Sequence, residues 1–528
     1  METLDDLFQR LEQLNDIGAS LSNERDLNLL LEKILLAAKT ITRADGGTLY
    51  RLSQDKQHLL FEIVRTDSLH LAFGGSSRQP TSGKFPDLPL YQKDHAPNNS
   101  MVAAYAALTG RTVNIADAYV AEGFDFSGTR HFDERTGYRS QSFLTVPMKN
   151  HENEIIGVLQ LINALHPESG CVVEFSKADQ RLAESLASQA AIALSNRQLV
   201  HQLEILFESF IKLINLAIDD KSPYTGAHCQ RVPALTMMLA EAANTSREGP
   251  LADFALTDQD RYELRIAALL HDCGKVTTPV HVVDKATKLQ TIFDRINLID
   301  TRFEVLKRDA EVRQWRAIAE GQSLPEAQKV YQDFCRQCDA DRAFIRQVNH
   351  GAEQMHDEDI ARIRRIASHY RWRNVAGAEA PFLSADELEN LTITSGTLTK
   401  AERETINHHI VATINMLEAL PWPGHLRHVT EYAGGHHERM DGTGYPKGLK
   451  RGEMSWQARM MGIADVFEAL TAKDRPYKDG MKLSQALSIL EAFKNNGHID
   501  PDLYAVFVQS EVYRQYAAAF LEEQQIDC

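Results

Sequence analysis

The sequence has few cysteines, little glycine or proline, and a shortage of positive charge. Its six cysteines are scattered over 528 residues, which excludes a scaffold built on disulfides. The 29 glycines and 17 prolines are too few for a collagen-like or wholly disordered chain. Lysine and arginine number 57 against 73 acidic residues, which leaves a net charge of −16. Because such a charge repels phosphate backbones, we expect no general nucleic-acid binding.

Long apolar runs are also missing. No stretch is long and apolar enough for a transmembrane helix, and the first residues lack the basic and apolar regions of a signal peptide. We therefore expect a cytoplasmic protein that does not associate with membranes. A chain of 528 residues exceeds what one hydrophobic core usually serves, which predicts two or three domains.

The first part of the chain has the pattern of an α+β domain. Apolar residues recur at helical spacing between Leu27 and Ile41. Segments such as 58–64 and 155–163 are rich in apolar and β-branched residues and favour strands. We predict an antiparallel sheet with flanking helices over residues 1–175.

The segment 176–218 contains no glycine or proline and predicts one long linker helix. Its apolar residues form a stripe spaced by threes, fours and an occasional longer step: Leu182, Leu186, Ala190, Ala193, Leu199, Leu203, Leu206, Phe210, Leu213 and Ala217. Such a helix either pairs with a second copy as a coiled-coil stalk or packs within its own chain. Beyond it we predict an all-α domain at 219–520 with a charged helical insertion at about 291–390.

Histidines and carboxylates form a constellation in the predicted helical domain. His271 and Asp272 follow an apolar run, His436 and His437 are adjacent, and Asp465 lies inside another apolar run. Neutral imidazoles and carboxylates are ligands of iron, manganese and zinc, and a carboxylate in an apolar helix is costly without a cation. Neighbours on a helix point about 100° apart, so an adjacent His-Asp pair can ligate two ions with the carboxylate as the bridge.

Three motifs carry a resemblance to a known family: H-D-C-G-K at 271–275, H-H-E-R-M-D-G-T-G-Y-P at 436–446 and D-R-P-Y-K at 474–478. They resemble the HD-GYP family of cyclic-dinucleotide phosphodiesterases, a branch of the HD superfamily of metal-dependent phosphohydrolases. The resemblance implies hydrolysis of cyclic di-GMP to pGpG, with GMP as a further product left open. It also implies two divalent metal ions per chain, iron or manganese, with Asp272 as the bridge. The implied ligands are His228, His271, Asp272, His409, His436, His437 and Asp465.

The same resemblance implies which residues act on the substrate. Asp272 and Lys275 would be catalytic. The implied substrate contacts are Lys275, Arg475, Lys478, Gly444, Tyr445 and Pro446. Family members with three metals place a Glu where this chain has Tyr224, which favours a binuclear site, and Glu468 replaces an Asp that commonly follows the last Asp ligand. Two alternatives stay open: hydrolysis of a hybrid cyclic GMP-AMP dinucleotide, and a non-catalytic receptor or scaffold that binds a cyclic dinucleotide or a diguanylate cyclase partner.

Residues from about 15 to 172 resemble a GAF domain, a small-molecule sensor and dimerisation module. The likeness lies in the segments 114–119, 133–139, 144–148 and 156–163, and it is best to GAF domains that bind cyclic nucleotides. The motif of those domains is matched here by Asn163, Phe175 and Asp179, whereas Ala164 and Gln180 replace its Lys and Glu. Two interpretations stay open, a small-ligand pocket and a purely structural dimerisation domain. The resemblance implies a homodimer formed through the GAF domain and the linker helix.

Overall fold

The computed structural model describes residues 4–24, 26–77, 79–221, 228–247, 249–351, 354–473 and 480–528. The chain divides into two compact units, Met1–Phe207 and Glu208–Cys528, and this division falls inside the helix predicted at 176–218. In the described ranges, no helix has the length and apolar character needed to cross a bilayer.

The first unit is built on an antiparallel sheet, as predicted. Its strands are β1 (Ala44–Leu52), β2 (His58–Thr66), β3 (Leu71–Phe73), β4 (Leu88–Pro89), β5 (Val113–Ile115), β6 (Phe143–Lys149), β7 (Ile155–Leu165) and β8 (Val172–Val173). The main order is β3-β2-β1-β7-β6-β5, with β4 on β2 and β8 on β7. Every pair is antiparallel, which puts the two long central strands β1 and β7 side by side.

Helices cover both faces of this sheet. They are α1 (Leu4–Asn23), α2 (Leu27–Thr42), α3 (Val102–Thr109), α4 (Ser127–Thr136) and the first part of α5 (Lys177–Lys221). Helix α2 begins where the Asp26 carboxylate accepts hydrogen bonds from the amides of Asn28 and Leu29, which satisfies two amides of the first turn. Its Leu35 joins Leu186 of α5 in a buried cluster on one face of the sheet, while α3 packs on the other face.

The second unit is helical. After the last part of α5 it comprises α6 (His228–Thr245), α7 (Asp258–Leu270), α8 (Val280–Val283), α9 (Ile296–Ala319), α10 (Leu324–Asn349), α11 (Asp357–His369), α12 (Ala385–Leu391), α13 (Lys400–Glu418), α14 (Val429–Gly434), α15 (Trp456–Thr471), α16 (Leu483–Asn495), α17 (Pro501–Gln509) and α18 (Val512–Phe520). Thr399 and Glu402 form a capping box at the start of α13, and Ser455 caps α15. These two helices carry residues of the candidate site.

The predicted all-helical character fails at one place. Two short strands, β9 (Arg371–Arg373) and β10 (Glu379–Pro381), pair as an antiparallel hairpin inside the insertion. Its turn is closed by a hydrogen bond from the Gly377 amide to the Asn374 carbonyl, and Gly377 has φ of 75°. The left-handed conformation suits glycine, so Gly377 allows the chain to reverse tightly between the two strands.

The insertion has a core of its own and is tied to the rest of the unit by two buried lysines. Its core contains Phe303, Tyr370 and Phe382. Lys285 Nζ donates to Glu402 Oε2 at 2.6 Å. Lys288 Nζ donates to the carbonyl of Ile393 at 2.7 Å. These lysines lie in the segment that leads into the insertion, and their partners follow it.

Candidate metal centre

The seven residues that the sequence predicts as metal ligands meet in the second unit. His228 is the first residue of α6, His271 and Asp272 follow α7, and His409 lies on α13. His436 and His437 follow α14, and Asp465 lies on α15. Five separate helical elements therefore contribute, although their residues are up to 237 positions apart. The histidines His228, His271, His409 and His436 and the carboxylate of Asp272 are buried.

The ligand atoms form two groups. In the first, His228 Nε2 lies 2.9 Å from Asp272 Oδ2 and 3.2 Å from His271 Nε2. Asp465 Oδ1 lies 3.3 Å from His228 Nε2. The second group is His409, His436 and His437, whose donor atoms lie within 4.8 Å of one another.

Asp272 links the two groups. Its Oδ2 atom faces His228 and His271, while its Oδ1 atom lies 3.2 Å from His409 Nε2. One carboxylate thus presents a different oxygen to each group, which is the arrangement of a bridging ligand.

Backbone carbonyls set the protonation of three of the histidines. The Nδ1 atom of His271 lies 2.7 Å from the carbonyl of Ala268, that of His409 lies 2.5 Å from the carbonyl of Ile406, and that of His436 lies 2.6 Å from the carbonyl of Ala433. A carbonyl can only accept, so each Nδ1 donates to its carbonyl and each ring turns its Nε2 atom toward the centre. Metal-binding histidines commonly have this second contact.

Two of these acceptor atoms have no hydrogen-bond donor among the described residues. Among the described residues, Asp272 Oδ1 and His436 Nε2 are buried without a hydrogen-bond partner. Burying such atoms unsatisfied costs free energy, and lone pairs that face each other repel. A cation in each group would remove both costs, so the donor set fits a pair of metal ions.

Burial and neighbouring charges shift the pKa values of Asp272, His436 and His437. Burial opposes ionisation of Asp272, but Lys275, whose Nζ lies 2.6 Å from Oδ2, and His271 hold the pKa of this carboxyl well below its usual range. Burial lowers the pKa of His436 well below its usual value, and it lowers the pKa of His437 to about 4. At neutral pH these two rings are therefore uncharged ligands, while Asp272 is a carboxylate.

His228 is held differently from the other histidines. Its Nδ1 atom donates to Glu468 Oε2 at 2.6 Å, and Glu468 Oε1 accepts from Arg231 Nε at 2.7 Å. Burial opposes ionisation of Glu468, which is fully buried, but His228 and Arg231 lower its pKa. This carboxylate orients the His228 ring so that Nε2 faces Asp272. In the sequence analysis, Glu468 stood out only because it replaces an Asp of the family pattern, and the sequence did not indicate a role for it.

Glycine allows the H-D-C-G-K segment to lie against α13. The Gly274 amide donates to Thr413 Oγ1 at 2.9 Å. A Cβ atom at this position would lie 2.0 Å from the carbonyl oxygen of His409, so no larger residue fits without moving the backbone. The close approach brings Asp272 and Lys275 next to the helix that carries His409.

The G-Y-P segment lies against the second group of candidate ligands. The Tyr445 ring stacks on His437, with ring centroids 4.9 Å apart. Glu438 accepts hydrogen bonds from the amides of Lys447 at 2.7 Å and Leu449 at 2.9 Å, which fixes the loop. A Cβ atom at Gly444 would lie 2.4 Å from the Arg439 amide nitrogen, so the tight return of this loop requires glycine.

A cavity of about 590 Å³ adjoins the centre. His437, Asp465, Gly444 and Tyr445 line it together with Arg439, Thr443, Val466, Ala469, Leu470, Phe493 and His498. Pro446 is not among these lining residues. The predicted substrate contacts Arg475 and Lys478, and Tyr224 as well, lie outside the described residues.

The sequence analysis did not assign a role to Arg439, Phe493 or His498, which line this cavity. Arg439 Nη2 lies 3.1 Å from His498 Nδ1, and the Phe493 and His498 rings stack at 4.4 Å. Burial and the nearby guanidinium lower the pKa of His498 to about 4, so its neutral ring accepts from Arg439. Arg439 stands within the H-H-E-R-M-D-G motif and could have been found there, whereas Phe493 and His498 carry no sequence signal.

The first unit has a separate cavity, of about 540 Å³, lined by aromatic rings that include Tyr50, Phe61, Phe85, Phe126, Tyr138 and Phe143. Asn163, Phe175 and Asp179 are not among its lining residues. Asn163 donates to the Arg139 carbonyl and accepts from the Gln141 amide. Asp179 accepts from the Ser176 amide and pairs with Arg10. Phe175 lies in the core between sheet and helices.

Comparison with known proteins agrees with this architecture. The GAF domain family matches residues 26–194, and two models of the HD domain match residues 225–332 and 381–503. The two HD matches together include all seven candidate ligands. His228, His271 and Asp272 lie in the first match, and the other four lie in the second. The chain therefore contains a GAF domain followed by an HD domain.

Its relatives include enzymes that act on cyclic dinucleotides. The chain is 25% identical to 3'3'-cGAMP-specific phosphodiesterase 3 of Vibrio cholerae over 326 residues, which are 62% of this chain and 42% of that protein. It is 41% identical to 3'3'-cGAMP-specific phosphodiesterase 1 of the same species over 17% of this chain and 21% of that protein. It is 45% identical to a cyclic di-GMP phosphodiesterase of Pseudomonas aeruginosa over 14% of this chain and 17% of that protein. The matches thus span less than half the length of each of these relatives.

Solved structures similar to part of the chain include the GAF domain of a phosphoenolpyruvate-protein phosphotransferase from Acinetobacter. The identity is 18%, the match covers 38% of this chain and 99% of that domain, and the TM-score is 0.27.

Proposed function

We propose that the chain is a metal-dependent phosphodiesterase of the HD-GYP type that hydrolyses cyclic di-GMP to pGpG. The observation that carries the proposal is the position of Asp272, which turns one oxygen to each of two groups of buried ligand atoms. Named relatives act on cyclic di-GMP and on 3'3'-cGAMP, which supports a cyclic dinucleotide as the substrate. The hybrid dinucleotide is the second candidate because two relatives carry that name.

The residues that would hold two divalent cations, iron or manganese, follow from the two groups. His228, His271, Asp465 and Oδ2 of Asp272 would hold one, and His409, His436, His437 and Oδ1 of Asp272 would hold the other. Such a pair supplies Lewis acidity and makes water a nucleophile near neutral pH.

The chain's own groups then bind and orient the phosphodiester. Lys275 is partly exposed beside Asp272, so its ammonium can face phosphoryl oxygens and offset their growing charge. Tyr445, stacked on His437, forms an aromatic wall of the adjoining cavity, and Arg439 supplies a cation in that wall. Water adds to phosphorus, the bond to O3′ breaks, and O3′ leaves with a proton.

Two adjacent histidines provide the test. His409 is buried in the candidate centre, whereas the neighbouring His408 is exposed. The full chain, prepared anaerobically and loaded with manganese or iron, is offered cyclic di-GMP and 3'3'-cGAMP separately, and the products are separated by chromatography. We expect pGpG from cyclic di-GMP, about two equivalents of metal by elemental analysis, and loss of turnover with reduced metal content in His409→Ala.

The control His408→Ala should keep both metal and turnover. Equal loss in the two variants would contradict the assigned ligand set. Exclusive turnover of the hybrid dinucleotide would replace the proposed substrate but leave the reaction class. A metal-loaded chain that hydrolyses neither dinucleotide would refute the proposed function.

A further inference from the structure

The last part of helix α5, residues 208–221, contacts the chain on both sides of the H-D-C-G-K motif. Ile211 and Ile218 of this part are buried, and Asn215 Nδ2 donates to the carbonyl of Leu269 at 2.9 Å. Leu269 stands two residues before His271, so the first contact lies just ahead of the motif. The second contact lies just after the motif, and it comes from the last residue of α5.

That last residue is Lys221. Its ammonium donates to three backbone carbonyls, those of Lys275 at 3.3 Å, Val276 at 2.5 Å and Thr278 at 2.6 Å. A lysine ammonium has three protons and no acceptor, so the three carbonyls use its full donor capacity. Carbonyls of residues so close in sequence meet at one point only while the backbone keeps a particular turn. The turn at 275–278 is therefore closed around a single cation.

Backbone hydrogen bonds connect this turn to the motif. The Lys275 amide donates to the Asp272 carbonyl at 2.9 Å, and the Thr278 amide donates to the Lys275 carbonyl at 3.1 Å. The Lys275 carbonyl thus accepts both from the Thr278 amide and from the ammonium of α5. Because one carbonyl is held twice, the ammonium supports the same backbone that follows directly from Asp272.

The direction of the Lys275 side chain depends on this backbone. Its Nζ atom lies 2.6 Å from Asp272 Oδ2, and under the proposed function it faces the phosphoryl oxygens. The side chain starts at the residue whose own carbonyl Lys221 holds, so a change in the turn would move the Lys275 ammonium. A displacement of about 1 Å in an active site can lower a rate about 100-fold.

We infer that Lys221 is a positioning residue, which clamps the 275–278 turn so that the Lys275 ammonium keeps its place beside Asp272. It acts through the backbone of this turn rather than on the substrate. The effect on catalysis rests on the proposed function, whereas the clamp itself is a property of the chain without metal or substrate.

Hydrogen–deuterium exchange tests the clamp in the metal-free full chain. Lys221→Met removes the three hydrogen bonds but keeps an unbranched side chain of similar length. We expect the amides of peptides that cover 273–278 to exchange about tenfold faster or more. Lys212→Met, at an exposed position of the same helix, should leave exchange in these peptides unchanged. Equal exchange in Lys221→Met and the wild type would overturn the inference.

Steady-state kinetics with cyclic di-GMP tests the positioning role. We expect Lys221→Met to lower kcat per metal-loaded chain about 10- to 100-fold, with KM changed less than about threefold. Lys221→Arg should recover most of kcat, because a guanidinium also offers only donors, and Lys212→Met should keep it. A wild-type kcat in Lys221→Met, or an equal loss in Lys212→Met, would overturn the inference.

The two measurements separate a failure of the clamp from a failure of the proposed function. A wild-type chain that hydrolyses neither cyclic di-GMP nor 3'3'-cGAMP refutes the function, and exchange at 273–278 then decides the clamp alone. If Lys221→Met does not fold, Lys221→Gln takes its place with the same expected changes, because its side chain is one bond shorter and has two donor protons instead of three.

Discussion

Glu468 offers the sharpest test of how the centre is held. Its carboxylate is fully buried and accepts from His228 at 2.6 Å and from Arg231 at 2.7 Å. In Glu468→Gln the shape is kept, but the charge that strengthens both hydrogen bonds is lost. Loss of a group that orients a metal ligand typically costs 10- to 100-fold in metal affinity, about 1.4 to 2.7 kcal/mol.

A larger truncation should act on the fold as well. Glu468→Ala would leave the Arg231 guanidinium without this carboxylate in a site where only 14% of its side chain is exposed. Breaking a buried ion pair by removing one partner costs about 3 to 5 kcal/mol. We therefore expect Glu468→Ala to lower the melting temperature of the metal-free chain, and Glu468→Gln to change mainly the metal affinity.

The assay is chelator competition for the bound metal, together with thermal melts of metal-free and metal-loaded protein. Glu263→Gln is the matched control, because Glu263 is also buried and accepts from a histidine, His428, that is not a candidate ligand. The control should bind metal like the wild type. Metal affinity in Glu468→Gln equal to that of the wild type would refute the positioning role.

Two further predictions concern the cavity and the insertion. Arg439→Gln should raise KM for the dinucleotide about 10- to 100-fold with little change in kcat, because a charged hydrogen bond is worth roughly 1.5 to 3 kcal/mol. Steady-state kinetics measures both constants. An unchanged KM would exclude Arg439 from substrate binding. Burial lowers the pKa of Lys288 from 10.5 to about 8, so between these values the unfolded chain holds more protons than the folded one. The free energy of unfolding of the wild type, relative to that of Lys288→Met, should therefore rise as the pH rises from about 8 to 10.5. Denaturant unfolding at several pH values measures both free energies. A difference between them that does not change over this range would contradict the lowered pKa.

The candidate ligands could be chosen from the sequence because their chemistry is visible in short runs. An adjacent His-Asp, an adjacent His-His and an Asp inside an apolar helix each signal something other than packing, and a motif shared with a family supplies the rest. The sheet of the first unit was equally accessible, since its long strands are marked by apolar and β-branched runs.

Contacts that join distant elements could not be predicted in this way. Glu468 meets His228 across 240 positions, and Arg439 meets His498 across 59. Neither pair has a characteristic spacing, because helix packing rather than local sequence sets the distance. The same limit applies to Asn163, which matches a ligand motif in the sequence. In the structure its side chain forms hydrogen bonds with the backbone of Arg139 and Gln141.

The insertion shows how the fold preserves a site whose ligands lie on both sides of a long interruption. Asp272 precedes the insertion and His409 follows it, yet their ligand atoms lie 3.2 Å apart. Lys285, just before the insertion, pairs with Glu402 at 2.6 Å, and Glu402 is part of the capping box that starts α13. His409 follows Glu402 by two helical turns on the same helix. The Lys285–Glu402 ion pair thus joins the two ends of the insertion at the start of α13, the helix that carries His409. The helices of the insertion therefore enlarge the unit without separating Asp272 from His409.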